Sequence, residues 1–166
     1  MAGIVMGTVG LLAAVMVSLP RWASHWLGIW LAAAAIALTF GGALVARQIG
    51  RGRHARYWGP ARKFLLCLCP ALLAGAALTW VLYAAGVPGV IPGMWLLLYG
   101  CAVLAASTVT STGITRLVGA MGALFVVFGA MTFVLPATAH TAMLGLGFGA
   151  LHIFFGLRIG RLADAA

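Results

Sequence analysis

The chain has 166 residues, of which 64% are hydrophobic and 7% are charged, and its mean hydropathy is +1.16. A water-soluble domain carries about 25% charged residues, so this composition excludes an ordinary soluble protein and predicts an integral membrane protein. The formal charge of +9 comes from 10 Lys and Arg residues against a single acid. We exclude nucleic acid as a partner because the basic residues follow the pattern of membrane topology described below.

Six apolar segments follow one another along the chain. In hydrocarbon the backbone N–H and C=O groups must be hydrogen-bonded within the segment, so each apolar run of about 20 residues predicts a transmembrane helix. Together the six segments predict an all-α fold, a six-helix transmembrane bundle that forms one domain over residues 1–166. The predicted helices cover residues 2–19, 26–46, 64–85, 91–106, 117–135 and 138–157.

The distribution of Lys and Arg predicts the orientation of the helices. Short cytoplasmic loops are enriched in these residues. If the N-terminus is inside, nine of the 10 Lys and Arg residues fall on the inner side and Arg21 alone falls outside. An even number of helices then places both termini in the cytoplasm. Trp22, Trp26 and Trp30, at helical spacing near the outer end of the second helix, are expected at the lipid headgroups.

The connection between the second and third helices is strongly basic. We interpret it as a cytoplasmic loop whose charge follows from membrane insertion, and which contacts anionic lipid headgroups or an acidic cytoplasmic protein. We call residues 47–63 the basic segment. Its basic side chains are Arg47, Arg51, Arg53, Arg56, Arg62 and Lys63.

The sixth helix carries small residues on one face. Gly145, Gly149 and Gly156 recur at helical spacing together with His152. Because small residues let helices approach closely in lipid, this face is predicted to pack on a neighbouring helix. The expected counterparts on the fifth helix, and a further small-residue pair on the first, are Gly119, Gly122, Gly129, Gly3 and Gly7.

His152 is the one ionisable residue deep inside a predicted span. Intramembrane ionisable residues are candidates for function, here as an axial haem ligand, a metal ligand or a proton carrier. The alternative is a neutral histidine that bridges two helices by a hydrogen bond to a carbonyl or to a hydroxyl such as Thr39 or Thr79. No second histidine lies at matched depth, which favours the structural alternative, and no cofactor other than this haem alternative is predicted.

Several classes of activity are excluded by the scarcity of acids and bases. The single acid, Asp164, lies in the tail, so carboxylate-driven ion coupling and aspartyl proteolysis inside the membrane are excluded. The Ser/Thr cluster at residues 107–115 has no nearby base to activate a hydroxyl and predicts a hydrogen-bonded turn. Three cysteines inside apolar runs are interpreted as small hydrophobic residues: Cys67, Cys69 and Cys101.

Two blocks of sequence carry a resemblance. The stretch Pro-Gly-Met-Trp-Leu-Leu-Leu-Tyr-Gly at residues 92–100 and the glycine-rich block at residues 147–156 resemble an uncharacterised family of small polytopic membrane proteins from acidobacteria and some proteobacteria. Genes of that family often lie beside winged-helix regulators, and its members carry an extra polar N-terminal segment. The resemblance implies a location in the bacterial inner membrane and a regulated role there, and it places His152 inside a motif.

These observations favour a non-enzymatic protein of the inner membrane that acts as a sensor-like or accessory partner of a cytoplasmic protein. The first alternative is a small transporter or channel, formed as a homo-oligomer. Its polar cavity would be lined by Thr39, Thr79, Tyr99 and His152. The second alternative is an electron-transfer protein that binds haem through His152.

Overall fold

The computed structural model describes residues 2–50, 54–110 and 112–164. These residues are helical except for short turns and contain no strand, so the all-α class is confirmed. The helices are α1 (Ala2–Ser18), α2 (Trp26–Gly50), α3 (His54–Ala84), α4 (Ile91–Ser107), α5 (Thr112–Val134), α6 (Ala137–Leu144) and α7 (His152–Asp164). Short 3₁₀ turns occupy Pro20–His25 and Pro88–Val90, and a π-helical segment at Gly145–Leu151 joins α6 to α7 in one helix.

Within the described residues, five helices are long and apolar enough to cross a membrane. The helix α1 is also apolar but has 17 residues, about 25 Å at 1.5 Å per residue, which is shorter than the roughly 30 Å of hydrocarbon in a bilayer. These lengths indicate a polytopic membrane protein. The five long spans are Pro20–Leu44, Arg62–Ala84, Pro88–Ser107, Gly113–Val134 and Ala137–Leu162.

The helices on either side of the basic segment are longer than the sequence predicted. The helix α2 continues to Gly50 and α3 begins at His54, where a loop was expected over residues 47–63. A prediction from apolar runs stops at the first charges, although Arg, Lys and Gln are good helix formers. For the same reason α7 reaches Asp164 instead of ending at residue 157.

The chain groups into two compact units. Unit 1 contains residues 1–58 and 144–166, and unit 2 contains residues 59–143. The chain passes from one unit to the other inside α3 and at the end of α6. The single domain expected from the sequence stays a prediction.

In unit 1, α1 lies antiparallel to the last helix. A Cβ added to Gly3 would lie 3.1 Å from the Cα of Gly156, and a Cβ added to Gly10 would lie 2.6 Å from the carbonyl oxygen of Phe148. Gly145, Gly149 and Gly156 therefore contact α1, and the prediction that the fifth helix would supply their counterparts is corrected. Sequence spacing identifies the small face of a helix, whereas the choice of neighbour depends on the fold of the whole unit.

In unit 2, α4 and α5 form a close antiparallel pair. A Cβ on Gly100 would lie 2.9 Å from the carbonyl of Gly122, and a Cβ on Gly93 would lie 3.1 Å from that of Gly129. These pairs repeat at a spacing of seven residues on each helix, so the two backbones stay in contact over two turns. The glycines at 122 and 129 thus contact α4, and Ser107 lies against Gly119.

A hydrogen bond between side chains connects α3 to α4. The indole Nε1 of Trp95 donates to the hydroxyl of Thr79 at 2.7 Å, and that hydroxyl donates to the carbonyl of Gly75 at 2.6 Å. The opposite face of α3 is open, since Leu73 is 71% exposed and Trp80 is 77% exposed. An apolar face of this kind fits contact with lipid.

Candidate functional site

His152 lies at the point where the π-helical segment ends and α7 begins, and its side chain is 4% exposed. Its Nδ1 is 3.4 Å from the carbonyl oxygen of Gly147, five residues earlier. Since a carbonyl can only accept, the proton of this bond is on Nδ1. The π segment and the imidazole are thus parts of one local structure, because π turns also span five residues.

An aromatic stack extends from His152 to α2. The imidazole lies nearly parallel to the ring of Phe148, with centroids 6.2 Å apart and planes at 19°, and Phe148 lies 6.4 Å from the indole of Trp30 at 53°. The helical spacing of the tryptophans predicted that Trp30 would lie at the headgroups. Its indole is 4% exposed, because the last helix covers this face of α2, and its level relative to the headgroups stays a prediction.

The indole N–H of Trp30 is the notable polar group of this stack. Within the described part of the chain, its Nε1 is the buried side-chain nitrogen or oxygen that has no hydrogen-bond partner. A buried donor in this state costs about 1–3 kcal/mol, which the aromatic contacts of the ring offset in part. The sequence offered no signal for this feature.

The backbone of the π segment is held by α1. A Cβ on Gly7 would lie 2.6 Å from the carbonyl oxygen of Gly149, and one on Gly10 would lie 2.6 Å from that of Phe148. Neither Gly10 nor the π segment was predicted from the sequence. A signal for the π segment was present in the sequence, because glycine recurs at residues 145, 147 and 149 inside an apolar span. These glycines leave the widened turn without side chains at three positions.

The residues expected to line a transport cavity have local partners. The hydroxyl of Thr39 is exposed and donates to the carbonyl of Ala35 in its own helix, at 2.8 Å. The ring of Tyr99 lies 4.8 Å from that of Phe125. Tyr99 and Thr79 belong to unit 2, whereas Thr39 and His152 belong to unit 1.

The other histidines also have contacts of their own. His25 lies 3.0 Å from the hydroxyl of Ser24, and His140 lies 3.2 Å from the carbonyl of Leu135. Over residues 2–50, 54–110 and 112–164, no three His, Cys, Asp or Glu side chains are placed to hold a metal ion. The hydrogen bond from His152 to Gly147 lies within one helix, and the choice between a structural and a functional role for this residue stays a prediction.

The hydroxyls of the turn after α4 bind to backbone carbonyls. Ser107 donates to Leu104 at 2.7 Å, Thr108 to Ala105 at 2.7 Å, and Thr110 to Ser107 at 2.7 Å. These bonds close the end of the helix, where carbonyl groups lack partners in the helix itself. The arrangement agrees with a hydrogen-bonded turn.

Apart from Arg21, the described Arg and Lys side chains of each unit lie at one end of that unit. In unit 1, antiparallel packing brings the end of α2, with Arg47, and the end of α7, with Arg158 and Arg161, to the same end, while Arg21 lies at the opposite end. In unit 2, α3, α4 and α5 follow one another in alternating directions, so Arg62, Lys63 and Arg116 lie at the same end. Arg51 and Arg53 lie outside the described residues, as does the side chain of Arg56.

Comparisons with protein-family models, with curated proteins and with solved structures found no match to this chain. The resemblance noted in the sequence therefore stays a prediction. The composition and the five long apolar helices define the class, a polytopic α-helical membrane protein.

Replacing His152 with phenylalanine is expected to lower the free energy of unfolding in detergent by about 1 kcal/mol, because the ring can still stack on Phe148 but the bond to Gly147 is lost. The matched control is His140→Phe, where water at the membrane boundary can replace the lost partner. Ultraviolet–visible absorption spectra of the unmodified chain and of both variants, oxidised and then reduced with dithionite, complete the test. A Soret band that disappears in the His152 variant would contradict the structural interpretation.

Proposed function

We propose that this chain is a non-enzymatic protein of the bacterial inner membrane, which acts as a sensor-like or accessory partner of a cytoplasmic protein. The partner is proposed to carry an acidic surface and to bind the basic segment. With six basic residues and no acid in residues 47–63, the segment is complementary to such a surface.

The observation that carries this proposal is the helical extension on each side of residues 51–53. The apolar span of α2 ends at Leu44, yet the helix continues for six residues to Gly50. The span of α3 begins at Arg62, yet its helix begins eight residues earlier, at His54. At 1.5 Å per residue these extensions measure about 9 Å and about 12 Å, long enough to project beyond the hydrocarbon.

The charges of the described side chains support a cytoplasmic location for these extensions. Arg47, Arg62 and Lys63 are all exposed. In each unit the described Arg and Lys side chains other than Arg21 cluster at one end, as expected for the inner side of a membrane. A folded basic helix end loses less conformational entropy on binding than a disordered loop would, which makes it a better docking element.

The test is photo-cross-linking in living cells, with a photoreactive amino acid at position 47 or 62. We expect one discrete protein adduct from each position. For the charge test the photoreactive group is moved to the neighbouring position 48, so that Arg47, Arg62 and Lys63 can all be replaced with glutamine. We expect this triple replacement to remove the adduct, because a docked acidic surface would lose its charge partners.

Two controls make the experiment decisive. A photoreactive group at position 21, on the predicted outer side, should give no such adduct, and the charge-conserving exchange R47K/R62K/K63R should retain it. Adducts with lipid alone, or a protein adduct that survives loss of the three charges, would contradict the proposal. An adduct from position 21 but not from position 47 would contradict the predicted orientation.

A further inference from the structure

We propose that the end of α7 binds the phosphate of an anionic lipid headgroup through Arg158 and Arg161. Its two arginines are not part of the basic segment, although Arg47 lies at the same end of unit 1, and the proposal does not require the cytoplasmic partner. It requires only that the chain lies in a membrane.

The two arginines continue a face of α7 that is open to lipid. Phe154, Arg158 and Arg161 are spaced by four and three residues, so they share one side of the helix. Phe154 is 51% exposed, as expected for a side chain in hydrocarbon. The guanidinium carbon of Arg158 lies 5.5 Å from the centre of the Phe154 ring, a cation–π contact that holds the charge along this face.

The packing of α1 leaves the end of α7 uncovered. Gly156 is in contact with Gly3, close to the start of α1, whereas no described atom lies within 4 Å of a Cβ on Gly160. The helix α7 continues for eight residues beyond this contact, about 12 Å at 1.5 Å per residue. Both Arg158 and Arg161 are exposed there, at the level where a span meets the headgroups.

Two arginines one turn apart are suited to a phosphodiester. A guanidinium donates two parallel hydrogen bonds to phosphate oxygens, and residues separated by three positions have Cβ atoms about 5–6 Å apart. Basic groups at the inner surface attract anionic lipids, and each contributes to retention.

The test is native mass spectrometry of the full chain in detergent, titrated with phosphatidylglycerol or with phosphatidylcholine. We expect tighter binding of phosphatidylglycerol, and a loss of about tenfold or more in its affinity for R158Q/R161Q. R158K/R161K should lie between the two, because lysine keeps the charge but not the paired hydrogen bonds.

Arg21 offers a matched control, since its guanidinium carbon lies 5.7 Å from the ring centre of Trp22 at the opposite end of unit 1. R21Q should leave phosphatidylglycerol binding unchanged. Equal affinity of R158Q/R161Q and the unmodified chain would overturn the proposal, as would equal binding of the two lipids. Displacement of the lipid by millimolar inorganic phosphate would also overturn it, because the site would then be one for the free ion.

Discussion

Replacing Gly10 with alanine is expected to destabilise the protein by about 2–3 kcal/mol, the cost typical of overpacking a filled interior. The new methyl group would lie 2.6 Å from the carbonyl oxygen of Phe148 and 2.7 Å from its carbonyl carbon. Both are backbone atoms, so no side-chain rotation can relieve the overlap. The helix α1 must move away from the π segment, and its other close contacts are lost together.

Gly149→Ala, in the π segment that faces α1, is the comparison variant for Gly10→Ala. The methyl group there would lie 2.6 Å from a terminal carbon of Leu11, a side chain that is 38% exposed and can rotate outward. We therefore expect a smaller loss for Gly149→Ala than for Gly10→Ala. The measurement is the free energy of unfolding in mixed micelles of mild detergent and dodecyl sulfate, followed by tryptophan fluorescence.

The baseline variant for this series is Gly28→Ala, because no described atom lies within 4 Å of its added methyl group. Alanine is the better helix former, so this variant should be neutral or slightly more stable. A Gly10→Ala protein that is as stable as Gly28→Ala would show that α1 does not pack on the π segment as described.

The second large effect is expected for Gly100→Ala, between α4 and α5. Its methyl group would lie 2.7 Å from the backbone nitrogen of Val126 and 2.9 Å from the carbonyl oxygen of Gly122. The two helices must separate, and the expected loss is again about 2–3 kcal/mol. Gly122→Ala should have a similar effect, since its methyl group meets the backbone nitrogen of Leu104 at 2.7 Å.

The double variant G100A/G122A tests whether the loss of stability arises from separation of α4 and α5. A single separation of the helices relieves both overlaps, so the combined loss should be smaller than the sum of the two single losses. Gly42→Ala, whose methyl group meets no described atom within 4 Å, is the matched control. Additive losses would indicate that the two positions do not share one interface.

The sequence alone determined the class of the protein and the six helices of its described residues, where α6, the π segment and α7 count as one helix. A bilayer requires each spanning segment to satisfy its own backbone hydrogen bonds, so the apolar runs predict helices without knowledge of any tertiary contact. The local residues also determined the turn after α4, where Ser107 and its neighbours bind carbonyls three residues earlier. These properties depend on interactions within a few residues.

Tertiary structure decided which helices meet and what they bury. Gly145 and Gly149 form a small face by spacing alone, but only the fold of unit 1 presents α1 to that face. The burial of Trp30 against Phe148 depends on helices that lie more than 100 residues apart in the chain. In lipid the helices have similar apolar surfaces, so close packing selects the neighbours, and that fit exists only in three dimensions.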